Sequence, residues 1–104
     1  MQNTHQQYDT TEHEHLDTLV DQASGKYPAS GLILVGCADG RWFVEVDFGR
    51  GYDQIDGLSW PSVSPFVEPR YFPDRSIAAA FAFECIKRVH PELLDVDLRQ
   101  YLGD

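Results

Sequence analysis

Several residue groupings in this chain have the right types for chemistry. Glu12-His13-Glu14-His15 sets acids and imidazoles side by side, the donors that bind divalent metals. Read as the start of a helix, however, His13 and His15 point about 200° apart. Helical metal pairs normally stand four residues apart; His13 and Asp17 have that spacing and could share an ion weakly. The segment therefore reads as a solvated first turn, and His5 and His90 add no ligand spacing. No metal site is expected.

Cys37 and Cys85 are the candidate nucleophiles. Each lies in an apolar run, whereas a reactive thiol needs an electropositive, partly open setting. Buried, reduced and inert thiols are expected, in place of a disulfide. Glu45 and Asp47 share one face of an alternating segment and have the types for acid–base work, but charges on a polar strand face normally meet water. Ser59 and Ser62 lack the strand–turn–helix context of a nucleophile elbow. Gly49-Arg50-Gly51 is too short to cradle a phosphate and leads into Tyr52 and Asp53, not a helix. No catalytic residue and no cofactor are expected, and the chain does not read as an enzyme.

What stands out instead is charge. Seventeen Asp plus Glu oppose eight Lys plus Arg, a net charge of -9 on 104 residues, beside an apolar content of 42%. Low hydrophobicity must accompany high charge before a chain stays unfolded, so wholesale disorder is excluded. The length fits one domain over 11–104, after a flexible N-terminus over 1–10. Met1 to Asp9 has no apolar core of a signal peptide, and the longest apolar stretch, Ile77 to Phe83, is too short to span a bilayer. A cytoplasmic protein is expected. Membranes and nucleic acids are themselves negative, which argues against either as direct partner.

The elements that would position these residues read as an α+β domain. Thr11 and Glu14 form a possible capping box, followed by an apolar stripe of Leu16, Leu19, Val20 and Ala23, with Gly25 and Pro28 ending an N-terminal helix. A small antiparallel sheet then begins with a hairpin. Gly31 to Cys37 is almost wholly apolar, Asp39-Gly40 makes the turn, and Arg41 to Phe48 alternates. Trp42, Val44, Val46 and Phe48 point one way; Phe43, Glu45 and Asp47 point the other. Gly49 to Arg70 is irregular, with edge strands expected near Ile55 to Trp60 and Arg70 to Phe72. Two C-terminal helices packed on one sheet face complete the reading. The first is capped by Asp74 or Ser76 and carries Ile77, Phe81, Cys85 and Val89 inward. The second follows Pro91 with Leu94, Leu98, Tyr101 and Leu102.

Acid and aromatic side chains coincide most densely around the second strand and the loop after it. Phe43, Glu45, Asp47, Tyr52, Asp53, Asp56 and Trp60 form the expected partner-binding surface, and Glu45 to Glu68 holds five acids against one base, Arg50. Aromatic anchors ringed by charge are how interfaces gain affinity and fast association.

Ala38-Asp39-Gly40-Arg41-Trp42-Phe43-Val44, with the later Ser76-Ile77-Ala78-Ala79-Ala80-Phe81, resembles the hairpin-then-helix pattern of small immunity proteins that neutralise bacterial toxins. Size and acidity are also similar to those of phage anti-CRISPR proteins, some of which mimic DNA with carboxylates. Together with the carboxylate excess, the resemblance implies a non-catalytic inhibitor; a monomer or a homodimer is expected. Its partner would be a basic-surfaced protein such as a nucleic-acid-binding complex or a toxin. A different class of reading, a small enzyme or ligand carrier, would require a pocket between sheet and helices.

Overall fold

Gly31–Cys37 is the organising element. In a computed structural model of the chain, describing residues 10–49, 51–52, 55–60 and 69–102 (only the backbone at 101–102), every residue of this strand is buried. It is the middle strand, β2, of an antiparallel sheet. β1 (Thr10–His15) lies on one side and β3 (Trp42–Phe48) on the other, in the order β1-β2-β3. A strand paired at both edges and covered on both faces has no position that requires a polar side chain. The turn into β3 is closed by Gly40 N–H donating to the Cys37 carbonyl at 3.0 Å. The Asp39 carboxylate accepts from Arg41 N–H at 3.0 Å and Nε at 2.9 Å.

The N-terminal helix expected from Thr11 is corrected. Residues Thr10–His15 are a strand, pairing His13 with Val35 and His15 with Ile33. A capping box contributes only about 0.5–2 kcal/mol. Without β1, the buried β2 would leave a row of backbone donors and acceptors unpaired, and each such group costs about 1–3 kcal/mol. Pairing wins, and the polar composition of β1 suits an edge strand. The helix, α1, is shorter: Asp17–Ser24. It ends at Gly25, whose φ of 78° lets its N–H reach the Asp21 carbonyl at 2.9 Å.

The sheet consequently does not start with the hairpin, because β1 precedes both α1 and β2. Nor, among the described residues, do two C-terminal helices pack on one sheet face. Helix α2 (Arg75–Val89) is capped by Asp74, which accepts from Ile77 N–H at 2.9 Å. It lies on the sheet face carrying Leu32, Leu34, Val44 and Val46 and buries Ala78, Ala79, Ala82, Phe83, Cys85 and Ile86. Ile77, expected inside, is 46% exposed, since the alanines let the backbone itself approach the sheet. After α2 come a 3-10 turn, Pro91–Leu93, and a four-residue helical turn, Arg99–Leu102. Leu93 and Leu98 are both buried while Leu94 is 62% exposed. Residues five apart sit about 140° apart on a helix, so one continuous helix could not bury both.

The two short strands expected in the irregular segment reduce, among the described residues, to single bridges on the free edge of β3: Trp42 with Phe72 and Glu45 with Ser59. The far face of the sheet also departs from expectation. Ile33, Val35, Cys37 and Phe43 form a second buried cluster with Tyr71 against it, so the alternation in β3 separates two cores as far as Glu45, while Asp47 at its end is exposed. Among the described residues, no helix is long and apolar enough to cross a membrane.

Candidate functional site

The structure disperses the surface that the sequence suggested. Phe43 is 0% exposed and packs edge-on against Tyr71, ring centres 6.0 Å apart. Tyr52 is equally buried in the main core, and its hydroxyl has no hydrogen-bond partner. Glu45 is 5% exposed, and Trp60 is half-buried against the main core. Asp56 is exposed on the rim of a groove beside α2. Asp53 lies outside the described residues. Of the seven, Asp47 alone joins a cluster with chemical character.

That cluster is created by Leu16. Its side chain is 1% exposed, and its N–H donates to the Leu32 carbonyl at 2.9 Å. Its backbone has turned helical (φ -99°, ψ -5°), which ends β1 and swings Asp17 back beside His15. His15 Nδ1 lies 3.0 Å from Asp47 Oδ2 and 3.9 Å from Asp17 Oδ1. A carboxylate can only accept, so Nδ1 carries the hydrogen in the bond to Asp47. Asp17 is 8% exposed; Oδ2 accepts from the Tyr27 hydroxyl at 2.8 Å, while Oδ1 is buried with no hydrogen-bond partner.

Tyr27 completes the corner. It is 64% exposed, with its ring stacked on Phe48 at 6.0 Å and 12°. Its phenol is raised above the ordinary tyrosine value, first by the hydrogen bond to Asp17 and then by burial and the fields of Asp17, Asp47 and Asp21. Three carboxylates therefore act on one exposed ring.

No family model, curated protein or solved structure matches this chain.

Three acids elsewhere pair with guanidinium groups: Glu14 with Arg75, Asp39 with Arg41 and Asp97 with Arg99. Asp39 is held below the usual carboxylate range by hydrogen bonds from Arg41, and Asp97 by those from Arg99. Among the described residues, Asp17, Asp21 and Asp47 have no Lys or Arg partner; Asp17 and Asp47 meet only Tyr27 and His15.

The groove beside α2 has the opposite character. Of about 820 Å³, it gathers Arg70, Lys87 and Arg88 with Asp56 and Glu84 around Phe81 and Cys85. The Arg70 guanidinium lies 5.3 Å from the Phe72 ring centre and 5.9 Å from that of Phe81. Burial pushes the Cys85 thiol up to about 11, and Cys37 is raised for the same reason. Both thiols are kept in the unreactive protonated form. They also lie in different cores, on opposite faces of the sheet.

Sequence reasoning missed His15 with Asp17 because it placed both on a helix, where they diverge. It missed Tyr27, which stands between the helix-ending Gly25 and Pro28. The available signal was the apolar Leu16 between two polar residues at the end of an alternating polar run.

Proposed function

We propose that this chain is a non-catalytic binding protein whose Asp17–Asp21–Tyr27–Asp47 corner docks on a basic surface of another protein. The carrying observation is an exposed tyrosine hydrogen-bonded to Asp17 and lying in the fields of two exposed acids, Asp21 and Asp47. Tyrosine is a favoured interface anchor: it buries a large rigid area while its hydroxyl stays hydrogen-bonded. The exposed carboxylates of Asp21 and Asp47 offer partners to Lys and Arg side chains, standing in for phosphates if the covered surface normally grips nucleic acid. Close interfacial charge pairs couple by about 1.5–7 kcal/mol. The net charge of -9 adds long-range attraction that speeds encounter.

The test compares two double variants with the same change in overall charge. Asp21→Lys with Asp47→Lys alters the corner; Asp56→Lys with Glu92→Lys alters exposed acids outside it. Partner capture from lysate at low and high salt should fall with salt and be lost only in the corner variant. Equal loss in both variants would reduce the acids to a diffuse solubilising coat and end this reading.

A further inference from the structure

We infer that His15, Asp17 and Asp47 form a binding site for one divalent first-row transition ion, with Zn²⁺ as its type. Their ligand atoms lie within 4.8 Å of one another, His15 Nδ1 at 3.0 Å from Asp47 Oδ2 and 3.9 Å from Asp17 Oδ1. Zn–N and Zn–O bonds of about 2.0–2.2 Å place tetrahedral neighbours about 3.4 Å apart. The present spacings straddle that value, so side-chain rotation suffices to close the site.

An acidic cluster alone would not justify an ion. The second observation is Asp17 Oδ1, a carboxylate oxygen buried without a hydrogen-bond partner in a residue 8% exposed. A buried oxygen of this kind costs free energy unless something positive meets it. Its twin, Oδ2, is fixed by the Tyr27 hydroxyl at 2.8 Å. Such outer-shell hydrogen bonds orient ligating carboxylates in metal sites.

The donor set selects the class of ion. Two carboxylates cancel a 2+ charge, and a neutral imidazole nitrogen favours Zn²⁺ and its neighbours over Mg²⁺ or Ca²⁺, which prefer all-oxygen ligands. Ligation requires the hydrogen on His15 Nδ1 to move to Nε2 or to water, and breaks the bond to Asp47. With three protein ligands, the remaining coordination position is left for water or for a donor from outside the chain. The ion would tie the β1–α1 junction to the end of β3, sites 32 residues apart in sequence for His15 and Asp47.

This inference does not depend on a protein partner; Asp47 enters both readings, so His15→Ala, which keeps every carboxylate, and Asp21→Asn, outside the ligand set, separate them. Calorimetric titration of the full chain with Zn²⁺ should show one tight equivalent that Mg²⁺ does not displace. His15→Ala and Asp47→Asn should each weaken it more than about tenfold, and Tyr27→Phe by about tenfold through loss of carboxylate orientation. Asp21→Asn and His13→Ala should leave it within about threefold. In parallel, Co²⁺ should broaden NMR signals around residues 15, 17, 27 and 47 first. Unchanged affinity in His15→Ala, broadening centred on His13 or a thiol, or no uptake by the folded wild type would overturn the site.

Discussion

Arg75, the first residue of α2, grips both carboxylate oxygens of Glu14 in β1 at 2.9–3.0 Å, across 61 residues of chain. The contact joins the edge strand to the helix that covers the sheet. Both side chains are about a third exposed (31% and 34%), so solvent discounts the pair toward the surface range of about 0.2–1 kcal/mol. Glu14→Ala should lower unfolding free energy by about 0.5–1 kcal/mol at low salt and by less at high salt. Hydrogen exchange should accelerate in β1 before β3; uniform acceleration across the sheet would contradict this role.

Tyr52 supplies a second test, of opposite sign. Its ring is fully buried, but its hydroxyl is sealed in the main core without a hydrogen-bond partner. Burial drives its phenol strongly upward. Tyr52→Phe keeps the ring and removes the desolvated group, so stability should stay level or rise by about 1 kcal/mol. A clear loss in urea unfolding would show that the hydroxyl has a structural role.

Cys85 sets an alkaline limit. Burial raises its thiol from 9.0 to about 11, with Arg88 opposing and Glu84 reinforcing. The folded state therefore favours the neutral thiol. Its contribution is complete below the unfolded value of 9.0 and is lost as pH rises toward about 11. Unfolding free energy of the wild type should fall more steeply than that of Cys85→Ala across this window. Parallel profiles would show that the thiol is not protected in the native state.

Some of this molecule could be read directly from its residues. The uninterrupted apolar run Gly31–Cys37 permits only a fully covered strand, and Asp39-Gly40 only a tight turn. Asp74 ahead of an alanine-rich segment specifies a helix start. What failed was local reasoning applied where distant pairing decides. Thr11 and Glu14 satisfy a capping rule, yet Glu14 pairs with Leu34 and the Thr11 hydroxyl donates to the Gly36 carbonyl, twenty and twenty-five residues on. Glu45 follows the alternation rule, but the face it points to is covered, so an assumed surface acid is buried. The corner was illegible for the same reason. Placing His15 and Asp17 on a helix separates them, and nothing near Asp47 in sequence points to a strand edge thirty residues earlier.

β1 contains no apolar residue, yet it alone occupies one flank of a seven-residue strand that has neither charge nor proline. Its attachment rests on ladder bonds and a few polar contacts, the part of a fold that opens first. Each opening bares a segment with the composition of a cross-β spine. Shelf life in concentrated solution should therefore follow how often this polar flap lifts, more than the melting temperature of the whole, with mutual repulsion between like-charged copies as the remaining safeguard against fibres.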